Sequence, residues 1–152
     1  MKKDNKISGV GIDCLSYASA GLIKKPKGLV IENYKYRAKD SFYYNHQIKT
    51  ICNPRNAIIM PNAHYLIYEN GCYFADEEGN KLNDLDTNKL TYKKLRINHY
   101  FTKSKNEYKE KIACGDTIKA KTMADFFARD KNDIYDYIME KYINQVKNKL
   151  KT

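Results

Sequence analysis

Residues 96–112 read RINHYFTKSKNEYKEKI, and a change of period inside them decides the fold class. LRINHYF (95–101) has the β-branched and aromatic content of a short strand. Ser104 then stands three residues before Glu107, the pattern of a capping box. KNEYKEKIAC follows as a helix, stopped at Gly115. A strand that runs out into a capped helix predicts an α/β protein, leaning towards α+β. The strands lie upstream of this turning point and the helices downstream.

Upstream, GVGIDC (9–14) reads as a short buried strand, and SYASAG (16–21) as small residues suited to a tight turn. KKPKG (24–28) punctuates the chain. GLVIENYKYRA (28–38) fits a helix, with a strand open for LVI. HQIKTIC (46–52) alternates as a strand ended by Asn53-Pro54. AIIM (57–60) and AHYLIY (63–68) predict further strands, and GCYFADEEGNKL (71–82) a hairpin turning at EEGN. Downstream, MADFFARD (123–130) reads as a short helix. NDIYDYIMEKYINQVKNKLK (132–151) has apolar residues at Ile134, Ile138, Tyr142, Val146 and Leu150, which predicts one long helix. Together these give a single domain over 1–152, strand-rich over 9–102 and helical over 103–152.

Composition narrows the function. With 152 residues, 42% hydrophobic, the chain has enough apolar material for a core, which argues against disorder. It is too short for a full nucleotide-binding domain with a separate acceptor domain, which needs roughly 200 residues or more. The four cysteines (14, 52, 72, 114) form no CxxC pair and read as reduced thiols, so a cytoplasmic protein is expected. No apolar run reaches the length of a membrane span, and no signal peptide is visible. The formal charge is +10, carried by 24 Lys against 4 Arg. Base-reading surfaces favour the bidentate guanidinium of Arg, so specific nucleic-acid binding is disfavoured. Attraction to phosphosugars or an anionic membrane surface is retained.

Few patterns carry chemistry. Asp84-Leu85-Asp86 lies in a polar loop rather than at a buried strand end, and is discounted as a metal site. DKNDIYD (130–136) lacks the central Gly and closing Glu of a calcium loop, and reads as a helix start capped by Asp130 or Asn132. His46, His64 and His99 form neither HxH nor HxxxH. His99 stands out by its place, where a strand runs towards a helix N-terminus whose free N–H groups can hold an anion. With Lys103 and Ser104 beside it, the group predicts a polyanion site.

Several segments resemble, in consistent order, a known family. RINHYFTKSKNEYKEKI (96–112) resembles the C-terminal signature of bacterial glycosyltransferases related to family 92 and family 2, which have the GT-A fold. KPKGLVIENY (25–34) is similar to their P-x-G-L-V-I-E-R-F stretch, and HQIKTICNPRNA (46–57) to their H-x-K-x-I-V-N-P-R segment. GVGIDCLSYASAGL (9–22) and FFARDKNDIYD (126–136) resemble two further family segments, so the likeness spans roughly residues 9–136. Asp13 and Cys14 stand where the family has Asn and Trp, Leu22 where it often has His, and CGD (114–116) lacks an expected Arg.

The resemblance implies a partial GT-A-like mixed sheet with a β-hairpin and C-terminal helices. It implies sugar transfer from a nucleotide sugar to a glycan or lipid-linked acceptor, with the donor-binding Asp-X-Asp half absent. Mg²⁺ or Mn²⁺ would be the cofactor and His99 its ligand from this chain. Lys103, Ser104, His64 and Lys49 would contact substrate or diphosphate, and Glu32 and Asp13 are the carboxylates for general-base work. A missing N-terminal half or a homo-oligomer is the expected partner, with peripheral membrane contact through the lysine-rich C-terminal helix. The alternatives are a non-catalytic remnant that keeps a binding groove, or a basic nucleic-acid binder.

Overall fold

The computed structural model describes residues 6–83, 89–115 and 120–150; Asp84-Leu85-Asp86 lies outside them. The strands are β1 (Ile7–Tyr17), β2 (Tyr36–Arg37), β3 (Ile48–Cys52), β4 (Ala57–Ile59), β5 (Ile67–Tyr68), β6 (Tyr73–Ala75), β7 (Ile97–Tyr100) and β8 (Ile134–Tyr135). The helices are α1 (Val30–Asn33), α2 (Lys105–Ala113), α3 (Met123–Arg129) and α4 (Ile143–Lys149). Mixed helix and strand bear out the α/β class. Two compact units form, each from two chain segments: Met1–Leu15 with Asp40–Asn98, and Ser16–Lys39 with His99–Thr152. The units therefore interleave along the chain.

In the first unit β1 is the middle strand. It pairs antiparallel with β3, Gly9 opposite Cys52 and Asp13 opposite Ile48, and parallel with β6, Gly9 opposite Phe74. Its sequence GVG explains how the core fits beneath it. A Cβ on Gly11 would lie 2.8 Å from Leu82 Cδ1 and 2.9 Å from Ile48 Cδ1, and one on Gly9 would strike the Tyr68 hydroxyl. Bare backbone at these two positions lets Ile48, Tyr68 and Phe74 close up against the strand. The predicted hairpin forms, with Ala75 bridged to Lys81. Its turn is set by Asp76, whose Oδ1 accepts the N–H groups of Glu78 and Asn80 at 2.9 and 2.8 Å. Glu77 accepts three successive N–H groups, from Lys93, Lys94 and Leu95, and so fixes the approach to β7.

In the second unit Tyr17 of β1 pairs with Arg37, and β2 pairs antiparallel with β8. A run of rings fills the interior: Tyr17 on Tyr100, Phe101 on Tyr108, and Tyr108 on Phe126, with centroids 4.7, 5.7 and 5.3 Å apart. Over residues 28–38 the helix is confined to the one turn of α1; the strand left open for LVI does not form, and the strand that does, β2, lies at Tyr36–Arg37.

The long helix expected over 132–151 is corrected. Residues 134–135 form β8 and the helix begins only at Ile143. The polar residues expected to cap a helix start bind elsewhere instead. Asp130 accepts from Ser19 N–H and Oγ at 2.6 and 2.8 Å, and Asn132 accepts from Ala20 N–H at 2.7 Å. The N–H groups of Asp133 and Asp136 donate to the carbonyls of Arg37 and Lys35, and Asp136 also pairs with the Arg37 guanidinium at 2.9 Å. These bonds need extended backbone, and they override the apolar periodicity.

Candidate functional site

The residues singled out in the sequence fall into both units. In the first, Lys49 of β3 and His64 of the loop between β4 and β5 come together. Lys49 Nζ donates to Ala63 O at 2.8 Å, His64 Nδ1 lies 2.8 Å from Ile48 O, and Thr50 Oγ1 donates to His64 O at 2.7 Å. Both side chains thus hold a loop against a strand. Asp13 is 2% exposed and accepts the Thr91 N–H at 2.7 Å. Its neighbour Cys14 has its thiol pushed up to about 11, by burial above all, with the Lys49 cation opposing.

In the second unit Glu32 sits in α1. Its carboxylate accepts the Leu29 N–H at 2.9 Å and pairs with Lys147 of α4. The Leu29 bond, then Lys147, holds it below the usual Glu range. A carboxylate so held is a weak base. His99 is half-buried, with its ring edge-on to Phe101 at 5.7 Å. Among the described residues no group of three or more His, Cys, Asp or Glu is placed to hold a metal ion.

The N-terminus of α2 is capped as the sequence predicts. Ser104 Oγ accepts the Glu107 N–H and donates to Glu107 Oε2 at 2.7 Å. The expectation of free N–H groups there is corrected, because all four of the first turn are taken. Lys105 N–H donates to Leu22 O, Asn106 N–H to Ile23 O, Glu107 N–H to Ser104 Oγ and Tyr108 N–H to Ser104 O. Ser104 itself is fully buried. Glu107 also accepts from the Tyr34 hydroxyl. Burial, then that bond, pushes Tyr34 up to about 12. Burial raises Glu107 as well, but the bonds from Tyr34 and Ser104 outweigh it and hold the carboxyl below the usual range.

What remains open beside α2 is a cleft of about 520 Å³ lined by Lys25, Tyr100, Phe101, Thr102, Lys103 and Lys111, with Glu107, Glu110 and Cys114 along the helix. Lys111 Nζ stands 4.1 Å from the Phe101 ring centroid and donates to Phe101 O at 3.2 Å, and the Arg129 guanidinium lies 4.2 Å from the same ring. Burial, then the nearby cations Lys121, Arg129 and Lys103, lowers the Lys111 pKa. Thr102 is 2% exposed, and its buried hydroxyl has no hydrogen-bond partner among the described residues.

Lys103 is the sequence-predicted residue that lines this cleft. Glu107, Glu110, Lys111 and Cys114 follow it at helical spacing, and reading that face outward from Lys103 is the signal that finds them. Lys25 and Arg129 come from distant segments and carry no local signal. Comparison with protein-family models, with curated proteins and with solved structures finds no match to this chain.

Proposed function

We propose that the chain is the acceptor-side part of a nucleotide-sugar glycosyltransferase, and that the cleft beside α2 receives the diphosphate end of the donor. The observation that carries this reading is the convergence of Lys25, Lys103 and Lys111 on one aromatic-walled cleft. When a glycosyl–phosphate bond breaks, negative charge grows on the leaving diphosphate, and fixed cations in a partly buried cleft stabilise it. Tyr100 and Phe101 supply the aromatic part of the wall. Glu110 is the cleft carboxylate outside the capping box, and takes the general-base role more readily than Glu32 or Asp13, whose oxygens are engaged elsewhere. Mg²⁺ or Mn²⁺ would neutralise diphosphate charge, with His99 beside the cleft. The described residues do not complete a metal site, so its carboxylates would come from a donor half.

The same engagement of Glu32 and Asp13 favours a second reading, a binding module without turnover. Calorimetric titration with a uridine or guanosine diphosphate, with and without Mn²⁺, tests the shared premise. Binding weakened at least about tenfold by Lys103→Glu supports the cleft. An unchanged affinity in that variant, or no binding at all, overturns both readings. Transfer that appears only when a donor-binding half is supplied separates the enzyme from the module.

A further inference from the structure

The turn at residues 19–23 is held from two sides, and its tip is nonetheless apolar and open to solvent. Asp130 and Asn132 clamp the N–H groups of Ser19 and Ala20, while the first two N–H groups of α2 donate to Leu22 O and Ile23 O. Ala20 and Gly21 take φ of 54° and 72° to make the bend. Ile23 at the tip is 65% exposed, and Phe127 of α3 is 60% exposed. Lys105 links the two: its N–H bonds Leu22 O, and its ammonium lies 5.5 Å from the Phe127 ring centroid. Lys24, Lys25 and Lys27 follow Ile23 directly, are exposed, and make no ion pair among the described residues.

We propose that this patch is a docking surface for an anionic lipid bilayer, with Ile23 and Phe127 entering the headgroup boundary and the surrounding lysines meeting lipid phosphates. An aliphatic side chain on a hydrogen-bonded turn and an aromatic one on α3, with three exposed lysines directly after the turn, have both terms of interfacial binding, apolar insertion and charge attraction. A nucleic acid would use the lysines and have no use for a protruding Ile. Attachment would be peripheral, since no helix among the described residues is long and apolar enough to cross a membrane. Lys25 belongs both to this patch and to the cleft wall, so the cleft opens beside the docking surface.

The chain has no Trp, so Ile23→Trp places a single reporter at the tip of the full-length protein. Vesicles of phosphatidylcholine mixed with phosphatidylglycerol in equal parts should shift its emission to the blue, and phosphatidylcholine alone should not. In the wild-type background, Ile23→Ser with Phe127→Ser, and separately Lys24→Glu with Lys27→Glu, should each reduce co-sedimentation with the mixed vesicles by about tenfold or more. Neither pair lines the cleft, so nucleoside diphosphate binding should be unchanged in both. Three outcomes overturn the proposal: no emission shift, an equal shift with duplex DNA, or sedimentation that the Ile23→Ser/Phe127→Ser variant leaves intact.

Discussion

Lys103 has φ 51°, the left-handed region, one residue before the helix cap. A side chain there carries strain of order 1 kcal/mol that glycine does not. Substitution to Gly therefore divides structure from charge. Lys103→Gly should leave stability in urea within about 1 kcal/mol of the wild type, because relief of strain offsets the greater freedom of the unfolded chain. The same variant should lose nucleoside diphosphate affinity; retained affinity would remove Lys103 from the site. Gly11 gives the opposite case. Its place is decided by space, since a Cβ would press on Leu82 and Ile48. Gly11→Ala should cost about 1–3 kcal/mol in urea unfolding. Lys111 adds a pH dependence. Its lowered pKa means that it loses its proton before an ordinary lysine as pH rises. Diphosphate affinity should fall through that window in the wild type, and Lys111→Arg should flatten the fall.

Among the elements, α2 was legible in advance because its signals are local: Ser104 and Glu107 meet within one turn, and Gly115 ends the run with φ 78°. The hairpin was legible for the same reason. Residues 130–136 were not, since they are held by bonds to residues near 19 and 37, about a hundred positions away. The cleft was half legible. Lys103 announced itself beside the cap, whereas Lys25 arrives by folding alone. The cap also makes a prediction. Glu107 gathers Tyr34, the Ser104 hydroxyl and the Ser104 N–H. Glu107→Gln should cost about 1–2 kcal/mol. The sign with pH follows from its lowered folded pKa: the stabilisation is present above the unfolded carboxyl value and is lost as pH falls through the folded one. The wild-type advantage over Glu107→Gln should therefore shrink on acidification. A gap that stays constant down to acid pH would show that the carboxylate charge is not used.

At the scale of the whole molecule, the charge of +10 is spread over both units, and it answers to salt differently from the cleft. Exposed lysines far apart in the chain act on polyanions through counterion release, a contribution that ordinary ionic strength largely removes. Lys111 is partly desolvated and stands with other cations around one cavity, where screening is weaker. Two kinds of anion binding should then separate on one axis. Raising salt from about 50 to about 200 mM should weaken duplex DNA binding by roughly a thousandfold if six or more phosphates are engaged. The same change should weaken nucleoside diphosphate binding far less, because only the few charges of one ligand are exchanged. Parallel titrations across that range decide the matter. Two curves of equal steepness would mean that the cleft is no more than part of a diffuse basic surface, and the assignment of Lys103 and Lys111 to a bound diphosphate would fall with it.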